Sequence, residues 1–159
     1  MWCCAGASHP TLFVDTDVSN FQSLMNWNYF SSVYIVHATL RAWLRPEKEA
    51  CGDELPLAEW LTPRQLIFTA SFLALYPIAG HTPYDPSKAA LQILSDQLSQ
   101  EMNLYASGNP NTRPVKVHTI FPATIFTDSY EAENIIKSDL TKMLEADGGQ
   151  TLDRTGGPG

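Results

Sequence analysis

The sequence predicts an α/β fold built around a parallel sheet. Two patterns carry this: short apolar runs with strand character, and between them long stretches whose apolar residues recur every three or four positions. Glycine and proline interrupt the chain at most junctions. Strand, helix, strand, helix, strand, helix in that order calls for parallel pairing through right-handed crossovers.

Trp2-Cys3-Cys4 reads as the end of a buried strand running into a turn at Ala5-Gly6. From Val18 to about Leu44, Val18, Phe21, Leu24, Met25, Tyr29, Val33, Val36, Leu40 and Trp43 keep helical spacing, with Asp17 or Ser19 as the cap. Pro46 to Pro63 is charged and broken by prolines and Gly52, so it reads as a surface loop. Leu66-Ile67-Phe68-Thr69-Ala70 is a second strand. A loop to Thr82 precedes a helix from about Pro83 to Tyr105, with Ala89, Leu91, Leu94, Leu98, Met102 and Tyr105 as its core stripe. Gly108-Asn109-Pro110-Asn111 ends that helix, Val115–Phe121 forms a third strand, and Pro122 stops it. A last helix is expected between about Ser129 and Glu145, ended by Asp147-Gly148-Gly149.

The 159 residues suit one modest domain, and the formal net charge, 10 − 17 = −7, disfavours a nucleic-acid role. The longest mostly apolar run, Ile67 to Gly80, is 14 residues and too short to cross a bilayer. Met1-Trp2-Cys3-Cys4 lacks the basic start and apolar stretch of a signal peptide. Cys3, Cys4 and Cys51 are an odd set without a CxxC pair and read as reduced, cytosol-facing thiols. His9, His37, His81 and His118 show no ligand spacing, so no metal site is expected.

The most informative feature is Tyr84-Asp85-Pro86-Ser87-Lys88 with Ser71 upstream, 84 − 71 = 13 residues before the tyrosine. Tyrosine and lysine four apart share a helix face, where the ammonium is expected to lower the phenol's pKa. A serine at a strand's C-terminal end, facing such a helix, suits polarisation of a carbonyl and delivery of a proton to it. Asp85 and Ser87 read as local helix-start residues, and His81 as a loop histidine that nothing orients. Asn28 has apolar neighbours at three- and four-residue steps, which favours a buried side chain with partners over a solvent-facing one.

Together these residues resemble the short-chain dehydrogenase/reductase family over nearly the whole chain. Asn28, Ser71, Tyr84 and Lys88 match the family's catalytic asparagine, serine, tyrosine and lysine. Pro122-Ala123-Thr124-Ile125-Phe126-Thr127 is similar to its PGxxxT segment, with Ala123 in place of glycine. Cys3-Cys4-Ala5-Gly6 resembles the NNAG turn after the family's fourth strand, with both asparagines replaced. Within the family, Cys3–Ala7, Phe68–Phe72 and the stretch from Phe121 through Glu145, with Glu131-Ala132-Glu133-Asn134 and Lys137, resemble the fungal 3-ketodihydrosphingosine reductases.

The resemblance implies a partial Rossmann-like, doubly wound parallel sheet, the C-terminal half of the family's fold. It occupies residues 1–147 and is followed by a disordered tail, 148–159. It implies NADPH as cofactor, a long-chain ketone lipid as substrate, the cytosolic face of the endoplasmic reticulum membrane as the place of action, and pairing of two copies through the long helices. Tyr84 would be the general acid. Lys88 would tune it and hold the nicotinamide ribose, Ser71 would bind the carbonyl oxygen, and Asn28 would hold a water linking Lys88 to solvent. Ala5, Gly6, Pro122, Ala123, Thr124 and Thr127 would touch the cofactor, although Thr127 equally reads as a helix cap. Phe72, Tyr76, Phe126 and Tyr130 read either as lining for an acyl chain or as core.

The family's glycine-rich TGxxxGxG turn does not occur in the sequence, so a chain starting near the fourth strand is expected, with Met1 internal to a longer protein or at the edge of a partial gene model. An open sheet edge, marginal stability and poor NADPH binding by the chain alone follow from that. Two other readings stand beside the leading one: reduction of another lipid or steroid ketone, and a non-catalytic fragment that binds other chains through its sheet edge.

Overall fold

The computed structural model describes residues 1–44, 62–109, 112–125 and 128–146. The expected loop at 46–63 falls almost wholly outside them, and Cys51, Phe126, Thr127 and the 148–159 tail do so entirely.

Three parallel strands, β1 (Trp2–Cys3), β2 (Arg64–Thr69) and β3 (Val115–Ile120), lie in the order β1-β2-β3. Trp2 pairs with Ile67 and Cys3 with Phe68, while β2 and β3 run in register from Arg64–Val115 to Thr69–Ile120. The first crossover is helix α1, formed by Val18–Leu24, a π-helical stretch Met25–Phe30 and Ser31–Trp43. Asp17 caps it, its carboxylate accepting the Ser19 N–H at 2.8 Å. The second crossover is α2 (Asp85–Gly108).

Strands added in one direction through right-handed crossovers place both helices on the same face. That face holds the core: Val36 and Leu40 of α1, Leu66 and Phe68 of β2, Leu91 and Met102 of α2, and Val115 of β3. Leu94, Leu98 and Val117 pack against it. The opposite face leaves Trp2 60% exposed, its indole N–H donating to Thr69 Oγ1 at 2.9 Å. Strand β1 is thus not the buried strand end expected at Trp2-Cys3-Cys4: among the described residues it is a two-residue edge strand with nothing paired on its outer side, so Trp2 and Cys4 are exposed.

Three details of the sequence reading change. Val18 and Tyr105 are exposed, because the core contacts of the helices begin after the first turn of α1 and end at Met102 of α2. The expected helix at 129–145 is two helices, α3 (Asp128–Ile136) and α4 (Asp139–Ala146). Ser138 breaks it by capping α4, its Oγ accepting the Thr141 N–H at 3.2 Å.

Candidate active site

Strand β2 delivers Ser71 to the site. Ala70 N–H donates to Ile120 O at 2.9 Å and Phe72 N–H to Pro122 O at 3.0 Å, so the segments leaving β2 and β3 stay side by side. Ser71 is buried, and its Oγ accepts the Leu73 N–H at 3.2 Å, capping the short 3-10 turn Phe72–Ala74. Tyr84 stands at the N-cap of α2, so its side chain is presented at the helix mouth and Lys88 follows one turn later. The Lys88 ammonium lies 5.8 Å from the Tyr84 ring centroid. It donates to Thr69 O, the last carbonyl of β2, at 2.9 Å. Ser71, Tyr84 and Lys88 therefore converge at the end of one strand, as the spacing predicts.

The electrostatics differ from expectation. Burial raises the Tyr84 phenol above its ordinary pKa; a hydrogen bond with Ser71 pulls the other way, and the carboxylates of Glu133 and Asp85 push it further up. Lys88 is not what holds the phenol down, since its ammonium is turned to the Thr69 carbonyl. Burial lowers Lys88 itself to about 8, with Cys4 acting in the opposite sense.

Asn28 is fully buried in the π-helical turn of α1. Its Oδ1 accepts the Ala7 N–H at 2.8 Å, and its Nδ2 donates to Ala7 O at 2.9 Å and to Ser87 Oγ at 2.8 Å. Both amide protons are thus committed to protein partners. The carboxamide clamps the Gly6-Ala7 turn to α2. Gly6 is required there: a Cβ would stand 2.8 Å from Asn28 Oδ1 and 3.1 Å from Lys88 Nζ.

Ser87, read from sequence as a helix-start residue, is completely buried and joins the site. It accepts from Asn28 and donates to Tyr84 O at 2.6 Å. The sequence signal was available, because a serine between Tyr84 and Lys88 lies on the inward side of the first turn. Asp85 is also buried. Its Oδ2 accepts the Ile78 N–H at 3.4 Å, and its Oδ1 has no hydrogen-bond partner among the described residues. Burial raises its carboxyl to about 7, against the Ile78 hydrogen bond. His81 is not an unoriented loop histidine either: it is buried, with Nε2 2.6 Å from Glu145 Oε1.

Among the expected cofactor contacts, Ala5 and Gly6 are exposed at the edge of the site beside Lys88. Pro122 is tied to Phe72, Ala123 is exposed and Thr124 half-buried, and Thr127 lies outside the described residues. Phe72 and Tyr76 stack with centroids 6.0 Å apart and are exposed, so neither is core. No metal-ligand cluster occurs among the described residues.

No family model matches the chain. It is 42% identical over 153 residues to 3-ketodihydrosphingosine reductase of Aspergillus fumigatus, an alignment covering 92% of this chain and 40% of that protein. With the reductase of the same name from Neurospora crassa it shares 43% identity over 148 residues, covering 92% and 38%. A fusion protein of Schizosaccharomyces pombe that includes a 3-ketodihydrosphingosine reductase is 34% identical over 142 residues, covering 89% and 25%. The chain thus spans at most 40% of the length of these three relatives. Among solved structures, ElxO with NADP bound superposes with a TM-score of 0.61 at 19% identity, covering 83% of this chain and 44% of that one. A dehydrogenase/reductase of Sinorhizobium meliloti gives 0.58 at 22%, covering 83% and 46%. At such identities the superpositions establish the fold, a Rossmann-type sheet with three parallel strands among the described residues. The chain is thus similar to 3-ketodihydrosphingosine reductases over most of its own length, and its fold is the Rossmann type of the solved structures it superposes on.

Proposed function

We propose that this chain carries the proton-transfer half of an NADPH-dependent reductase that converts 3-ketodihydrosphingosine to dihydrosphingosine. The observation that supports it best is the convergence of Ser71, Tyr84 and Lys88 at the end of β2, in a chain 42% identical to a reductase of that name. The donor set suits the nicotinamide-ribose end of the cofactor. Lys88 offers a buried ammonium beside an exposed glycine, and any Cβ at position 6 would fill the approach to it.

NADPH, when bound, supplies the hydride. Ser71 donates a hydrogen bond to the ketone oxygen and stabilises the alkoxide as charge develops there. Tyr84, held protonated at neutral pH by its burial, gives that oxygen its proton. Lys88 holds the ribose hydroxyls, its ammonium anchored on the Thr69 carbonyl. Asn28 and Ser87 fix the Gly6-Ala7 turn and the Tyr84 backbone relative to each other. Ala5, Gly6, Pro122, Ala123 and Thr124 would meet the cofactor, by the family resemblance.

Exposed Phe72 and Tyr76 offer an apolar flank to an alkyl chain beside Ser71. A two-copy assembly through the long helices is supported by exposed Trp27, Tyr34 and Ile35 on α1 and Ile93, Leu104 and Tyr105 on α2. No described helix is long and apolar enough to cross a membrane. Action at the cytosolic face of the endoplasmic reticulum is inferred from the lipid substrate.

The test replaces the corresponding segment of the Aspergillus fumigatus reductase with this chain and assays NADPH-dependent reduction of 3-ketodihydrosphingosine. Turnover is expected, and Tyr84→Phe should lower kcat by roughly 10²- to 10⁴-fold while the fold persists. A folded, NADPH-binding chimera without turnover overturns the reading.

A further inference from the structure

Helices α3 and α4 pack in a manner opposite to a helix of a globular core. Their buried side chains are polar: Lys137 at 5% exposure and Thr141 at 1%, with Glu145 half-buried. Their large apolar side chains face out, among them Ile135 at 83% and Met143 at 68%. Hydrophobic burial alone would roll such helices over. Something polar must fix the observed pose.

A three-residue polar cluster stands at that position. Glu145 Oε2 accepts from Lys137 Nζ at 2.7 Å within the helix pair, while Glu145 Oε1 lies 2.6 Å from His81 Nε2. His81 belongs to the turn directly ahead of Tyr84, its carbonyl accepts the Tyr84 N–H at 2.9 Å, and its ring meets the Tyr84 ring edge-on at 6.2 Å. Thr141 reinforces the contact. Its Oγ1 donates to Ala79 O at 3.2 Å and closes against Gly80, whose φ of 94° and lack of a side chain admit it; a Cβ there would stand 2.1 Å from Thr141 Oγ1. On α3, the Glu133 carboxylate is near enough to raise the Tyr84 phenol. The helix pair thus lies beside the atom that would receive the ketone.

We propose that the buried His81–Glu145–Lys137 cluster is a latch that docks the α3–α4 pair against the turn ahead of Tyr84 and thereby sets the fit of the ketone substrate. Its substrate half rests on the reductase reading. The latch itself does not. A pair whose main buried polar contact is one carboxylate shared between Lys137 and His81, with the Lys137 ammonium also 4.2 Å over the Tyr130 ring, can detach as a unit when that carboxylate is replaced by a neutral group, because the buried ammonium then loses its counter-charge.

Amide hydrogen exchange on the 159-residue chain tests the latch. Glu145→Gln should accelerate exchange at least about tenfold in 78–84 and 130–145, leaving β2 and β3 unchanged. Lys137→Met should do the same, and Lys137→Arg should restore protection. Unchanged rates overturn the latch, as does acceleration spread equally over β2 and β3, which would make the cluster a general stabiliser. In the chimeric reductase, Glu145→Gln should raise KM for the long-chain ketone about tenfold with kcat within about twofold. A fall in kcat at unchanged KM overturns the substrate half. A chimera without turnover before mutation overturns the reductase reading, whatever the exchange rates show.

Discussion

Asn28 and Ser87, 59 residues apart, are joined by a 2.8 Å hydrogen bond from Nδ2 to Oγ inside the protein. The bond links the π-helical turn of α1 to the first turn of α2, and Ser87 passes it to the Tyr84 carbonyl. A π turn inserts one residue into the helical ladder and re-aims the side chains around it. Here it turns a carboxamide inward among apolar neighbours, where every polar atom needs a partner.

Ser87→Ala should therefore destabilise the chain by about 1–3 kcal/mol, because it leaves an Asn28 amide proton buried without an acceptor. Urea unfolding of the 159-residue chain reads the loss. Asn28→Ala combined with Ser87→Ala should cost less than the sum of the two alone, since they share one bond. Strict additivity would show that the two side chains do not act as a unit.

Gly6→Ala is expected to be costly for a reason unrelated to backbone freedom. The new methyl would meet Asn28 Oδ1 at 2.8 Å and Lys88 Nζ at 3.1 Å. The lysine can swing aside, but the carboxamide is fixed by three hydrogen bonds. A loss of about 1–3 kcal/mol follows. Asn28→Ala in the same chain should remove most of the added penalty, and its persistence would place the clash elsewhere.

Much of this arrangement was legible in the sequence, because it is local. The apolar runs at 66–70 and 115–121 gave β2 and β3, and the 13-residue step from Ser71 to Tyr84 spans one loop. Asn28 declared itself by its apolar neighbours. Ser138-Asp139-Leu140-Thr141 carries a helix cap, but the apolar spacing runs through it and hides the break. The His81–Glu145 contact was not legible, since 64 residues separate the two and no period connects them. Nor were the raised phenol of Tyr84 and carboxyl of Asp85, because burial by distant segments produces them.

Asp85 should make the chain less stable as pH rises through neutrality. Its folded-state value, about 7, lies above the ordinary 3.8, so the native state binds the proton more tightly. Its stabilising contribution is complete below about 3.8 and is lost as pH climbs through about 7. Asp85→Asn keeps the side chain neutral at all pH, so the variant should be the more stable protein at about pH 8, with the advantage shrinking towards about pH 4. Urea midpoints across that range measure it. An advantage that grows towards acid would reverse the sign and refute the assignment.

Lys88 carries the opposite slope in a different window. Its folded-state value is about 8, below the ordinary 10.5, because burial disfavours the ammonium. The unfolded chain therefore binds more protons between those two values. Stability contributed at this site is complete above about 10.5 and is lost as pH falls through about 8. Raising the pH from about 8 to about 9.5 should raise the unfolding midpoint, before Tyr84, itself shifted upward by burial, begins to ionise. Lys88→Met removes the titrating amine while keeping the aliphatic stem, so its midpoint should lose the parent's rise over that interval, leaving only the opposing slope of the buried Cys3 thiol, and should lie above the parent's at about pH 7. A parent midpoint that is already flat there would mean that the ammonium finds compensation beyond the Thr69 carbonyl, and the lysine would enter catalysis fully charged.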